Sequence, residues 1–407
     1  MAIGHLVVSV FVDNIAQPIN KATVNIIGEN FNISTLTNIS GKTNEIELFA
    51  PDEIYSMTPQ EDIKPFSEYT IIVSKEGLNT SVINGVQIFP NVTSYQEVYL
   101  SVQEENNIIE NISQIPNPTL WEEFPPKIVD EEITTSDKGK VLPRVIIPEY
   151  IIVHDGIPTN TNASNYVISF SDYIKNVASS EIYPNWPKEA LKANIYAILS
   201  FTLNRIYTEW YPSRGYDFTI TSSTAYDQKY THGRTIFDTI SNVVDEIFLN
   251  YLKYPGQSNP YLAHYNDGIN VNNPGWLSQW GSKSLADQGY SALQIVRYYY
   301  GNTIGLATAE LVSSFPTSFP GYNLEINACG EEVQKIQNEL NKIRGSYPAI
   351  PVINNPNGIY DATTANAVRT FQSIFNLPVT GIVNYATWYR ISYIYVAVSN
   401  MLKGIYD

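Results

Sequence analysis

The first hundred residues alternate. "HLVVSVFV" and "KATVNIIG" are short β-branched runs, and "YTIIVSKEG", "VINGVQIF" and "YQEVYLSV" repeat the pattern between Pro, Asn and Gly punctuation. A period of two buries every second side chain on one face, so residues 1–102 are expected to form an all-β sandwich. From 103 to 140 the pattern stops, and acidic residues and prolines alternate with isolated apolar ones in "EENNIIENISQIPNPTLWEEFPPKIVDEEITTSDKGK". With no period to follow, this stretch reads as an extended acidic linker, strapped onto a neighbouring surface by its isoleucines and Trp121. Its end, "TTSDKGKVLPR", has the small, polar character of an exposed proteolytic site.

Residues 141–305 change period again. "PRVIIPEYIIVHDG" is strand-like, "SDYIKNVASS" is a short helix, and "PKEALKANIYAILSFTLNRIY" is a long one. Pro187 suits the first position of that helix, and Leu191, Ile195, Ile198 and Thr202 fall on one face. "TIFDTISNVVDEIFLNYL" is helical, and "SKSLADQGYSALQIVRYYYG" predicts a closing helix or helix pair. A Ser/Phe/Pro connector fills 306–325. Residues 326–396 then read as three helical runs separated by Gly- and Pro-rich turns. The expected fold class is multidomain α+β: a β-sandwich, a mixed α+β domain and a three-helix domain.

Composition narrows the function. Charged residues make up 16% of the 407, against about 25% in average proteins, and 30 tyrosines help to fill the gap. Such a surface suits neutral, hydroxyl-rich material. A net charge of −16 without any Lys/Arg cluster excludes nucleic acid as an expected partner and disfavours anionic membrane. The lone Cys329 allows no intramolecular disulfide. The N-terminus lacks a basic n-region and a small-residue cleavage site, and no apolar run approaches about 18 residues, so neither signal peptide nor membrane span is expected.

Three motif sets carry more. "VFVDNIAQPINKATVNI" with "YTIIVSKEGL" resembles the carboxypeptidase-regulatory-like or transthyretin-like sandwich, which implies a fold and no chemistry. From Gly330 to Ile391 the chain shows Val333, Ile336 and Leu340, then Asn357-Gly358-Ile359-Tyr360, Ala367-Val368, Phe371-Gln372, Leu377-Pro378, Thr380-Gly381 and Ala386-Thr387-Trp388. In this order and spacing they closely resemble the three-helix peptidoglycan-binding domain. The apolar members read as core and the glycines as turns. Tyr360, Gln372 and Trp388 are the expected exposed members of any ligand groove.

The central set begins at Ser180-Glu181-Ile182, continues through Pro184-Asn185-Trp186-Pro187 and Glu189-Ala190-Leu191-Lys192-Ala193-Asn194, and closes at Ser278-Gln279-Trp280-Gly281. Two blocks in this order resemble the stage II sporulation protein D/amidase-enhancer domain, a family of lytic transglycosylases of peptidoglycan. The resemblance places the catalytic acid on Glu181. Taken alone, a glutamate ahead of a helix is an ordinary solvated charge. As the acid it would have to hold a proton near neutral pH, and Ile182, Tyr183 and Trp186 are expected to desolvate it. Glu189, the nearest rival, sits where the helix dipole explains it, with Lys192 as its neighbour. The resemblance also makes Ser223, Gln228, Tyr230, Ser278 and Gln279 candidate cleft residues and Trp186 and Trp280 candidate sugar-stacking rings. Core packing explains the tryptophans equally well. The Gly-His-Gly stretch common in the family is absent, and His232 and His264 without cysteine make no zinc set, so no metal or other cofactor is expected.

Taken together, the modules resemble the clostridial spore cortex-lytic enzymes of the SleC type. That resemblance implies a zymogen of the spore cortex/coat region, laid down from the mother-cell cytoplasm. A subtilisin-like germination protease would cut it, here between Lys140 and Val141, to release an enzyme acting on cortex peptidoglycan. Two other readings stay open. One is a hydrolase using Asp217, Asp227 or Asp267 as a second carboxylate. The other is a non-catalytic wall-binding protein that stimulates another lytic enzyme.

Overall fold

A computed structural model describes residues 2–29, 31–59, 62–103, 109–122, 127–128, 142–312 and 319–399. The N-terminal part runs β1 (Ala2–Val12), β2 (Thr23–Gly28), β3 (Phe31–Leu36), β4 (Ile46–Ala50), a one-turn α1 (Ile54–Met57), β5 (Ser67–Ser74), β6 (Thr80–Ile88), β7 (Thr93–Leu100) and β8 (Glu110–Gln114). One sheet has the order β4-β1-β7, and the other β3-β2-β5-β6-β8. The alternation explains the layering. In "SEYTIIVS" every second residue from Tyr69 is buried, and Leu6, Val8, Val24, Ile26, Ile71, Val73 and Val98 from both sheets share one core. The second sheet reaches past residue 102, because β8 lies parallel to β6.

The central part holds β9 (Ile146–Pro148), β10 (Tyr150–His154), β11 (Asn165–Ser169), α2 (Phe170–Glu181), α3 (Lys188–Tyr207), β12 (Ile220–Thr221), β13 (Ile236–Phe237) and α4 (Asp238–Ile247). It continues with β14 (Asn250–Lys253), β15 (Tyr265–Asn266), β16 (Leu277–Ser278), α5 (Gln279–Asp287), α6 (Ala292–Tyr300), β17 (Gly305–Thr308) and β18 (Glu310–Val312). β18 pairs with β9, so the central unit extends to residue 312 and does not stop at 305. Helix α3 is buried on all sides from Ala193 onward, not on one face, because α2, α4, α5 and α6 all pack around it. The C-terminal part is helical, with α7 (Glu331–Ile343), α8 (Ala362–Ile374) and α9 (Tyr385–Val398) around Val333, Ile336, Leu340, Val368 and Phe371.

The N-terminal domain is welded to the rest. β13 adds to β7, giving a sheet of order β13-β7-β1-β4 whose outer strand comes from the central domain. Phe66, Phe89 and Val92 lie in the central core, where the Phe89 ring meets Tyr183 at 5.6 Å and Phe237 at 5.2 Å. Among the described residues no helix is long and apolar enough to cross a membrane. The expected scissile bond, Lys140–Val141, lies outside the described residues.

Candidate active site

Glu181 is the last residue of α2, a helix started by Ser169, whose side chain accepts from Asp172 N. Its side chain is fully buried. Oε1 accepts a hydrogen bond from Lys229 N at 2.8 Å, while Oε2 has no partner among the described residues. The loop that presents Lys229 is fixed from two sides. Asn176 of α2 accepts from Thr231 N at 2.9 Å and donates to Thr231 O at 2.7 Å. On the other side Asp227 receives Arg205 Nε at 2.8 Å, Tyr211 Oη at 2.6 Å and Thr221 Oγ1 at 2.7 Å. A helix, a buried ion pair and one backbone amide therefore set the position of the carboxyl group.

Burial pushes the Glu181 carboxyl above the usual carboxylate range, and the Lys127 ammonium, the Tyr265 hydroxyl and the Lys229 amide each pull it part of the way back. The Tyr265 hydroxyl is buried and near enough to act on the carboxyl, but it forms no hydrogen bond by geometry, and neither does Glu181 Oε2.

The surroundings of Glu181 are not the ones expected. Tyr183 packs on Phe89 and Trp280 and Trp186 packs on Trp280 with rings 5.0 Å apart, and the tyrosines that act electrostatically on Glu181 are Tyr173 and Tyr265. Trp186 is buried and its Nε1 donates to Ser56 O at 2.8 Å, while Trp280 is half-buried. Gln228 is interior and does not line a cleft: Oε1 accepts from Tyr173 Oη at 3.1 Å and from Thr202 Oγ1 at 2.8 Å. Tyr230 is likewise buried, stacked on Tyr173 at 5.8 Å and 3.1 Å from His232 Nδ1. Ser223 is half-buried and its carbonyl accepts from Asp227 N at 2.8 Å, shaping the loop. Ser278 caps α5 by accepting from Gly281 N at 2.9 Å. Gln279 is fully buried, and neither its amide atoms nor those of Asn266 on the neighbouring β15 have a partner among the described residues.

The rival carboxylates serve structure. Asp227 neutralises Arg205, and Asp267 accepts from Asn270 N at 2.9 Å and Val271 N at 2.9 Å in its own turn. Asp217 is exposed and accepts from Asn165 at 3.3 Å. Glu189 accepts from Ala292 N at 2.7 Å at the start of α6, and Lys192 pairs with Glu246 at 2.6 Å. Among the described residues no group of three or more His, Cys, Asp or Glu is placed to hold a metal.

The C-terminal candidates are corrected. Tyr360, Gln372 and Trp388 are all buried. Tyr360 Oη donates to Gly381 O at 2.9 Å, and Gln372 holds the 380–382 turn by accepting from Gly381 N at 2.8 Å and donating to Ile382 O at 2.9 Å. They build the domain interior and are not exposed groove members.

The linker crosses the catalytic candidate. Thr119 N donates to Ser180 O at 2.9 Å, one residue before Glu181. Lys229 Nζ reaches Asn117 O at 2.7 Å and Glu122 at 2.7 Å. Lys127 Nζ donates to the Asp227 carbonyl and lies 5.2 Å from the Tyr265 ring centre, and Ile128 N donates to Ala225 O at 2.7 Å. Tyr265, Lys229 and Lys127 escaped the sequence reading. Lys127 left one trace, a cation flanked on both sides by acidic residues.

Two stretches of the chain match known families. Residues 159–254, which include Glu181 and the Lys229 loop, match the family described as "Stage II sporulation protein", and residues 329–391 match "Putative peptidoglycan binding domain". The chain thus carries two domains tied to sporulation and the cell wall, the first from a family associated with wall degradation. The Ser278–Gly281 block lies outside the first match. No curated protein matches the chain. A solved structure, the Bacillus anthracis TIE protein, is 15% identical over 25% of this chain and 17% of its own, with a TM-score of 0.19, so nothing further is built on it.

Proposed function

We propose that the protein is the zymogen of a lytic transglycosylase of spore cortex peptidoglycan, working in germination with Glu181 as its single acid/base. Protonated, Glu181 donates to the glycosidic oxygen leaving C4 of N-acetylglucosamine. As carboxylate it then takes the proton from the muramoyl C6 hydroxyl, which closes an anhydro ring, so no water and no second carboxylate are needed. The observation that carries this reading is the Glu181 carboxyl itself, fully buried at a helix end, with one oxygen fixed by Lys229 N and the other without a geometric hydrogen bond among the described residues. The structural employment of Asp227 and Asp267 argues against a hydrolase.

The strap over Glu181 supports a silent precursor. Residues 115–122 and 127–128 occupy the surface around the carboxyl group, and proteolysis near Lys140–Val141 by a subtilisin-like germination protease would free them to leave. Product analysis tests the activity. Cortex digested by the cut enzyme is expected to yield anhydro-muramic ends, and Glu181→Gln none. Reducing muramic ends would overturn the transglycosylase reading, and full digestion by Glu181→Gln would overturn the role of Glu181.

A further inference from the structure

The three domains meet at a cavity of about 320 Å³, within the range of about 300–1,000 Å³ typical of small-ligand sites. The N-terminal sheet contributes Glu97 and Tyr99, α2 contributes Asp172, and the C-terminal helices contribute Phe375, Arg390 and Tyr393. Arg390 dominates it. Its side chain is only 19% exposed, yet its guanidinium reaches Asp172 Oδ2 at 3.4 Å and Glu97 Oε1 at 3.8 Å, both long. A guanidinium offers five donors and favours forked contacts of about 2.7–2.9 Å with carboxylate. This one is largely desolvated over the Phe375 and Tyr393 rings, at 5.7 Å and 5.4 Å, and its two carboxylate contacts are longer than a fork would make.

The N-terminal domain supplies two further groups beside it. Ile15, in the turn after β1, packs into the C-terminal core, and its carbonyl accepts a hydrogen bond from Tyr347 Oη. Glu97 brings a carboxylate that is itself 42% exposed and also bonded by Tyr99 Oη at 2.7 Å. An aliphatic side chain, a peptide carbonyl and a carboxylate are the recognition groups of a short peptide with a free acid end. All three come from the part that proteolysis would remove, while their receptors, Tyr347 and Arg390, belong to the part that remains.

We propose that this junction is a binding site for a carboxylate-bearing short peptide, the chemistry of the peptidoglycan stem, and that Ile15 and Glu97 are the chain's own stand-ins for that ligand. The proposal rests on the reading of the chain as a wall-acting enzyme, and it locates wall recognition between the central and C-terminal domains. Asp245 in the same cavity is paired with Lys175 at 2.7 Å, so the carboxylates that face Arg390 are Asp172 and Glu97. Removing Glu97 and Ile15 leaves Arg390 one loose partner and Tyr347 Oη none from the N-terminal domain, so ligand and N-terminal domain compete for the same groups.

The test uses the full chain. A double variant, Ile15→Ala with Glu97→Ala, takes the aliphatic group and the carboxylate out of the site while the residue-15 carbonyl stays on Tyr347 Oη, and binding of a free peptidoglycan tetrapeptide stem is measured by calorimetry beside wild type, with circular dichroism and melting as folding controls. The opened variant is expected to bind the stem at least about tenfold more tightly than wild type, and to lose that gain when Arg390→Gln is added or when the stem's terminal carboxylate is amidated. Arg390→Lys, which keeps the charge without the fork, should recover part of it and serves if Arg390→Gln misfolds. Equal binding by wild type and opened variant, or binding indifferent to Arg390 and to amidation, overturns the proposal. Co-sedimentation with intact peptidoglycan separates the two readings. If no form sediments, wall binding itself fails. If the opened variant sediments equally with and without Arg390, only this site is lost.

Discussion

In the proposed reaction Glu181 gives a proton and later takes one, so its surroundings must favour neither state by much. Burial raises its pKa and Lys127, Tyr265 and Lys229 N lower it, which is a balance of that kind. Glu181→Gln keeps an oxygen for Lys229 N, so the fold should persist while cortex cleavage by the cut enzyme falls by about 10²–10⁴-fold, read by release of soluble muropeptides. In the proposed activation Lys127 would leave with the strap, and the balance would shift. Lys127→Met in the full chain removes the first-ranked force that lowers the Glu181 pKa, and the carboxyl should titrate at higher pH than in wild type. The sign follows from linkage. A carboxyl with a raised folded pKa favours the folded state below its unfolded value, 4.5, and that contribution is lost as pH rises through the folded value. The variant should move the loss upward, seen in carbon NMR of the labelled glutamate side chain. An unchanged or lower titration point would mean that Lys127 does not act on Glu181.

At the scale of elements, the loop between β12 and β13 is the part that the site depends on and the sequence hides. Its anchor is the buried Arg205–Asp227 pair, both side chains at most 1% exposed. Removing one partner strands a buried charge, so Asp227→Ala should cost about 3–5 kcal/mol in denaturant unfolding, with activity falling because the Lys229 amide is no longer held. What was legible was local: Pro187 and the apolar spacing gave α3, and alternation gave β5. What was not legible came from partners distant in sequence. α3 is buried all round because α4, α5 and α6 fold back onto it. β8 has all five residues exposed, so no alternation marks it, and only pairing with β6 makes it a strand. Tyr360, Gln372 and Trp388 carry polar atoms that suggest a surface, but two of them serve turns inside their own domain. Tyr265 has no neighbour in sequence that announces Glu181, because the two lie more than eighty residues apart and meet only in the folded chain.

At the scale of the molecule, a cut in the linker is expected to be necessary and yet insufficient for release. The N-terminal domain would still be held by the β7–β13 ladder, by Phe89 among Phe66, Tyr183 and Phe237, by Arg234 Nη2 on Gln87 Oε1 at 2.9 Å, and by Lys42 Nζ on Asn376 Oδ1 at 2.5 Å. Backbone pairing and buried rings of this kind survive loss of a covalent tether, whose removal changes only the effective concentration. The two pieces should therefore co-elute in gel filtration at micromolar concentration after cleavage and separate on dilution or when peptidoglycan competes. Phe89→Ala probes the hold directly. The ring is fully buried between the domains, and its loss should cost about 3–5 kcal/mol. Because that cost falls on the docked arrangement, the cut variant should dissociate at higher protein concentration than the cut wild type and digest cortex sooner. If it co-elutes and digests like wild type, the rings are not what keeps the N-terminal domain in place, and the backbone ladder at β13 must carry the interface alone.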